Sequence, residues 1–383
     1  MPSSQSLLQV AKQYRRYLLL SLMLSMLLIP VANALIIERD RNRSMLYGQL
    51  FLEKGFSVYG LTDQQLNQTY SIPADHLLTN VLNVSYEYPI ITLLFYAGLA
   101  ALEPGWFGPH YLANVVLVLI FHLNLIFFLY VGQDYWDRKW FRLFGAAFYF
   151  FGVVMSAGFG KADPLANMFW LVSLILFKQG RHLASGAVLG VAFQTKIYPA
   201  MVMPILIAAN PLSLMTFVAS VGVLYLPLLF SGIQYETLLA HFTVGSSYAS
   251  SITNPFYIGL GFSNPIAFIA PAALVVTFLY SILETGQRGF LIYPKLHLRT
   301  RDWKVIYIFA IPLALIFVSW VLIWYYAWLI LPIFYLTQEE DRCRYRNVGI
   351  GILFAHVFGV LANLNYFLAG PIKEFMAHFK TLF

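Results

Sequence analysis

The chain has 383 residues, 60% of them hydrophobic, 17% aromatic and only 11% charged, with a formal net charge of +7. So little charge excludes a soluble domain of this length, and several runs long enough to cross a bilayer make it an all-α polytopic membrane protein. The positive balance lies in basic loops and does not call for nucleic acid, and the one cysteine, Cys343, excludes an internal disulfide.

The first apolar run, Tyr17 to Ile37, follows Lys12, Arg15 and Arg16. It lacks a small-residue cleavage site and outruns the apolar core of a signal peptide, so it reads as a retained anchor. The next candidate spans are 111–132, 143–159, 164–178, 183–195, 197–209 and 212–230. Further on come 265–283, 304–319, 322–337 and 347–369, about eleven spans in all.

Tyr88 to Leu102 is apolar but short. If it crossed, the basic stretches Asp134–Arg142 and Lys178–Arg181 would both fall outside. If it lies in the outer interface as a juxtamembrane helix, every basic loop falls inside, which the positive-inside rule prefers. The N-terminus is then inside and the C-terminus outside. Asp40, Glu87, Asp163, Lys196 and His241 share the external face, as do the longest non-cytoplasmic loops, 38–110 and 231–264. Loops of that length are usually functional. The whole chain, 1–383, is taken as one integral membrane domain, with 17–235 as its core module and 236–383 as more variable C-terminal helices.

Charged groups in such a chain are functional candidates by default. Asp40, within Glu38-Arg39-Asp40-Arg41-Asn42-Arg43, is either part of a solvated, charge-balanced loop or a general base. Glu38 is its rival. Asp163, in Gly160-Lys161-Ala162-Asp163-Pro164, has the sequence of a helix cap followed by proline and equally suits catalysis. Lys161 is either a phosphate contact or an exposed loop lysine. The tyrosines of Tyr86-Glu87-Tyr88-Pro89 suit an aromatic belt, whereas Glu87 suits a sugar hydroxyl or a second charged group. Lys196 sits in Lys196-Ile197-Tyr198-Pro199, between two segments of about a dozen residues that reach only about 20 Å each. It should lie below the lipid headgroups, where a phosphate ligand explains it better than snorkelling. The aromatic string Trp320 to Trp328, with Tyr326 in it, is either belt or a sugar-stacking platform.

Several of these stretches resemble the GT-C glycosyltransferases. An acidic residue after the first helix, then Tyr47-Gly48 and Gly55-Phe56-Ser57-Val58-Tyr59, is similar to that family's first external loop. Tyr88-Pro89 is similar to its Tyr-Pro-Pro-Leu region, with Ile90 in place of the second proline. Ala187-Val188-Leu189-Gly190 followed by Lys196-Ile197-Tyr198-Pro199 resembles glycosyltransferase family 87 and the GPI mannosyltransferase I group. Trp324-Tyr325-Tyr326-Ala327-Trp328 to Pro332 resembles a later Tyr-Tyr-x-Trp…Pro pattern. The likeness covers residues 15–235 well and the rest loosely.

The resemblance implies inverting transfer of a sugar, usually mannose, from a polyprenyl-phosphate donor to a glycolipid or glycan acceptor on the external or lumenal side. Asp40 stands in the place of the catalytic acid. The donor phosphate falls to Lys196, Tyr198 and Lys161, and further substrate contacts to Glu87, Tyr88, His241 and Tyr326. The residues require no metal, and a divalent cation bridging Asp40 and Asp163 stays open at this stage. The membrane is a bacterial or archaeal plasma membrane, or that of the endoplasmic reticulum, where Asn67-Gln68-Thr69 and Asn83-Val84-Ser85 would be glycosylation sequons. A transporter or lipid flippase is the alternative, although no internal repeat supports it. A catalytically silent scaffold is a third.

Overall fold

The computed structural model describes residues 6–35, 39–70, 72, 85–103, 110–135, 139–203, 206–207, 210–229 and 330–331. These are mostly helical, with no strand among them and a single isolated bridge between Thr62 and Ser85. Contacts divide the chain into two compact units. One is Met1–Ala200 with Ser213–Thr243, and the other is Met201–Leu212 with Val244–Phe383. In the second, the described residues include a turn in which the Asn210 side chain accepts the Leu212 N–H. The four candidate spans from 265–283 onward fall, apart from Ile330 and Leu331, outside the described residues, as do Glu38, His241 and Tyr326.

The first unit opens with α1 (Leu7–Leu35), α2 (Arg39–Lys54), a 3₁₀ turn over Gly55–Gly60 and α3 (Asp63–Tyr70). It continues with α4 (Ile90–Leu102), α5 (Tyr111–Val131), α6 (Lys139–Val153) and α7 (Asp163–Lys178). Then come α8 (His182–Phe193) and, after a 3₁₀ turn at Tyr198–Val202, α9 (Leu212–Leu229). Among the described residues four helices are long and apolar enough to cross a membrane: Leu7–Ala34, Tyr111–Val131, Phe141–Gly158 and Leu212–Leu229. Most of α1 is exposed, with Leu20, Met23, Leu24 and Leu27 on its surface, as a lipid-facing helix requires. Its start lies ten residues before the predicted one, because hydropathy marks only the apolar stretch. Lys12, Arg15 and Arg16 continue the same helix beyond it.

Polar contacts fix the directions of the helices. Ser21 on α1 donates to His122 on α5 at 2.7 Å, whose other ring nitrogen meets the Val118 carbonyl at 2.8 Å. Further along, Ile29 packs on Val118, and Arg41 bridges Asn33 and Asn114. Rising along α1 therefore means descending along α5. The two helices are antiparallel, and α2 through α4 all lie on the side where α1 ends and α5 begins. Helix α6 runs back along α5, with Phe148 and Phe141 stacked on Phe128 and a π-helical turn at Val154–Gly158. Asn114 closes this contact by donating to the Ser156 and Ala157 carbonyls, both at 3.0 Å. Ser173 and Ser185 join α7 to its antiparallel neighbour α8.

Small residues let α8 and α9 approach closely. Gly186 lies on Ser213 and Thr216, and Gly190, one turn on, lies on Phe217 and Ser220. One end of the bundle thus gathers Asn33, Asn114, Ser156 to Asp163 and Gln194 to Lys196. The other carries Val131, Asp134 and Lys178, joined by hydrogen bonds from the Lys178 ammonium.

Helix α4 is pressed against α2 at Gly48. A methyl group there would lie 2.6–2.7 Å from backbone atoms of Tyr96 and Ala97, which no rotamer change relieves. Gly48→Ala should therefore cost about 1–3 kcal/mol of overpacking, more than the roughly 1 kcal/mol that alanine gains in helix propensity. A lowered midpoint in thermal unfolding of detergent-solubilised protein would show it; an unchanged or raised midpoint would mean the two helices can slide apart.

Candidate functional site

From Arg39 onward the charged run after α1 is helix, not the solvated loop that was one of its two readings. Arg41, Asn42 and Arg43 are all buried. Such burial is tolerable only when each charge finds partners. Arg43 donates its Nε–H to both Asp63 oxygens at 3.0 and 2.9 Å, pairs with Glu87 and donates to the Ser85 carbonyl at 2.9 Å. Its guanidinium lies over the Tyr47 and Tyr86 rings, 5.0 and 5.6 Å from their centroids. Burial alone would lower its affinity for the proton, but Asp63 and Glu87 outweigh that and hold it firmly charged. Tyr47 donates to Asp63 at 2.8 Å, and burial together with that carboxylate pushes the phenol well up. Glu87, a candidate for a sugar hydroxyl or a second charge, faces the charge of Arg43.

Arg41 is held by amide oxygens: Asn42, Asn33 and, at 2.8 Å, Asn114. Its stem lies against Gly160, where a methyl would fall 2.6 Å from Cδ. Gly160 has φ +58°, a conformation open to glycine at no steric cost, and Tyr96 donates to its carbonyl at 2.6 Å. The π-helical turn and this glycine present Lys161 inward, with its own N–H on the Met155 carbonyl at 2.9 Å. Such turns within helices often mark functional positions.

Lys161 is therefore no exposed loop lysine. Only 2% of its side chain is accessible, and its ammonium pairs with Asp40, which sits in the first turn of α2 and keeps 19% exposure. The Tyr88 hydroxyl approaches the same Asp40 oxygen at 3.4 Å. Burial pushes the Asp40 carboxyl up, yet Lys161, with Lys196 and Arg43 behind it, more than offsets this and holds it below the usual carboxylate range.

Lys196 is 8% exposed and lies 3.1 Å from Asp163, which is 1% exposed. Its ammonium also stands over the Tyr88 ring, 4.9 Å from the centroid. The turn carrying it is clamped to α4, for Ile91 donates to the Gln194 carbonyl at 3.0 Å and Thr92 to that of Thr195. Helix α7 begins at Asp163 with Ala162 in the cap position, Pro164 just behind and no side-chain cap hydrogen bond. The carboxylate is turned to Lys196 instead. Tyr198 donates to Asn167 at 2.8 Å and approaches the Asp163 carbonyl at 3.3 Å, so its hydroxyl braces the start of α7.

The sequence-predicted residues Asp40, Tyr88, Lys161, Asp163, Lys196 and Tyr198 thus meet at one end of the bundle, and Glu87 stands behind them on Arg43. Arg41, Arg43, Asp63 and Asn114 are equally part of the arrangement, although no sequence pattern singles them out. An asparagine inside an apolar span is a signal that Asn114 shares with Asn124, so it does not single out Asn114. Arg41, Arg43, Lys161 and Lys196 stand against Asp40, Asp63, Glu87 and Asp163, so the formal charges cancel. No known family model, curated protein or solved structure matches the chain.

The lowered pKa of Asp40 has a consequence for stability. A carboxylate depressed by folding contributes stability above its unfolded pKa and loses it as pH falls through the folded one. The stability advantage of wild type over Asp40→Asn should therefore be full at neutral pH and shrink in acid. Thermal midpoints measured from pH 7 downward would check this, and a gap that widens in acid would contradict it.

Proposed function

We propose that this membrane protein is a GT-C type glycosyltransferase that moves a sugar, most simply mannose, from a polyprenyl-phosphate donor to an acceptor hydroxyl. The observation that carries this reading is the convergence of Asp40, Lys161, Asp163 and Lys196, drawn from separate segments, around one tyrosine. Tyr88 reaches Asp40 with its hydroxyl and Lys196 with its ring. A carboxylate pole and a cationic pole a tyrosine apart suit a sugar held between an attacking hydroxyl and a leaving phosphate.

In the transfer, Asp40 takes the acceptor proton as the acceptor oxygen bonds to the anomeric carbon from one face. The bond from that carbon to the phosphate oxygen breaks on the other face, inverting the centre. The electron pair leaves with the phosphate, where Lys196 and Lys161 offset the growing negative charge in a site with little water. Tyr198 supports the pole through the start of α7.

The external or lumenal placement rests on charge. Lys12, Arg15 and Arg16 at the start of α1, Lys139 and Arg142 at the start of α6, and Lys178 and Arg181 between α7 and α8 lie toward the end opposite the site. That end is cytoplasmic by the positive-inside rule. In this reading α4, whose ends return to one side, is a juxtamembrane helix. The deciding assay follows radiolabelled mannose from polyprenyl-phosphate-mannose in native membranes carrying wild type, Asp40→Asn or Lys196→Ala. Transfer by wild type that both substitutions abolish at equal protein level is the expected result. Unchanged transfer by Asp40→Asn would sink the assignment of the base.

A further inference from the structure

The site satisfies its own charges, and this bears on the order of events. Among the four cations, Arg43 is locked by two carboxylates, a carbonyl and two rings, and Arg41 by three asparagine oxygens. Lys161 and Lys196 are different: each is a compact ammonium on a flexible four-carbon stem facing a carboxylate. The backbone of Lys161 is pinned by Met155 and by the Gly160 turn, so any turn of its ammonium is a rotation of the stem alone.

We propose that Lys161 holds Asp40 in reserve until a lipid phosphate draws the ammonium away, so that donor binding releases the base and precedes proton removal from the acceptor. This rests on the glycosyl-transfer reading above. A carboxylate bound to an ammonium is a weak base, because the cation stabilises its ionised form. An arriving phosphate adds negative charge to a neutral, buried set and competes with Asp40 and Asp163 for the two lysine ammoniums. When Lys161 turns to the phosphate, Asp40 keeps the Tyr88 hydroxyl but loses its closest positive charge. Lys196, Arg43 and Tyr86 are the other titratable groups acting on or coupled to it, and Lys196 is itself engaged by the phosphate. The proton affinity of Asp40 rises when an acceptor has something to react with, and an acceptor bound alone meets a quenched base.

The test uses the full chain in lipid nanodiscs. The Asp40 carboxylate is titrated by infrared difference spectroscopy, with Asp40→Asn identifying its band. Three states are compared: no added lipid, polyprenyl phosphate, and uncharged polyprenol, with binding of each lipid measured separately by radiolabel. Polyprenyl phosphate should raise the titration midpoint and polyprenol should leave it unmoved. In Lys161→Met the midpoint should start high and rise less on adding the phosphate lipid. If that variant does not accumulate, Lys161→Arg serves, because its forked guanidinium should hold the carboxylate more tightly and blunt the rise. Binding without a shift, or a rise of equal size in the Lys161 variant, would overturn the inference and leave the transfer reading standing. Failure of polyprenyl phosphate to bind at all would overturn both.

Discussion

Under the proposed glycosyl transfer, Lys196→Met should lower that activity by about 10²–10³-fold, the usual cost of removing one donor aimed at a developing negative charge. Methionine keeps most of the stem's length and removes the ammonium that stands over the Tyr88 ring, so the loss falls on charge rather than on bulk. The substitution also strips Asp163 of its cation, and Asp163 is almost wholly buried. Breaking such a pair from one side destabilises by about 3–5 kcal/mol, so a loss of activity alone would be ambiguous. The double substitution Lys196→Met with Asp163→Asn resolves this. It leaves no uncompensated charge, and the protein level and thermal midpoint should recover toward wild type. Transfer should not recover. If the double variant regained transfer, Lys196 would be a structural partner of Asp163 and the phosphate pole would have to be sought elsewhere, with Lys161 the first candidate.

The residues that could be picked out of the sequence were those whose charge is anomalous where it stands. Lys196 interrupts an apolar stretch, Asp163 and Lys161 open another, and Asp40 follows the first span. Counting basic loops leads to the expectation that they share one face, with Tyr88 to Leu102 lying along it. The antiparallel course of α1 and α5 puts the end of α1 and the start of α5 at one end of the bundle. Helix α5 was legible almost to the residue because its apolar run and its helix coincide. Helix α1 was not, since nothing apolar marks the turns that carry Lys12 to Arg16. The pairings were hidden for another reason. Arg43 and Asp63 are twenty residues apart and Lys161 and Asp40 far more, and a charge does not announce which opposite charge it will meet. Arg41 and Arg43 looked like balance for a solvated loop because their amide, carboxylate and carbonyl partners come from four other segments. Gly48 and Gly160 carried no local signal either. Each is needed by something distant in sequence: the Tyr96–Ala97 backbone in one case and the Arg41 stem in the other.

Arg43→Met should be the most damaging single change in the described part of the chain. The guanidinium joins α2 to the start of α3 through Asp63, and to the residues just before α4 through Ser85 and Glu87. Without it, Asp63 (0% exposed) and Glu87 (11%) keep their negative charges facing a side chain that answers neither. The expected cost is about 3–5 kcal/mol, much of the roughly 5–15 kcal/mol by which an ordinary domain is stable. Arg43→Lys should fare little better. An ammonium lacks the planar spread of donors that gives Nε to Asp63 while the two terminal nitrogens reach Glu87 and a carbonyl. The damage should be reversible by chemistry rather than by size. With Asp63→Asn and Glu87→Gln added, Arg43→Met no longer leaves charge behind, and a neutral set of similar volume is often as stable as the buried pair it replaces. Thermal unfolding followed by fluorescence-detected size exclusion on membrane extracts would rank the three proteins. Wild type and the triple variant should stand together, well above Arg43→Met. If Arg43→Met alone matched wild type, the network would be incidental to the fold. The spacing of Tyr88 from Lys161 and Lys196 would then have to come from the apolar contacts of α2 with α4, centred on Gly48, alone.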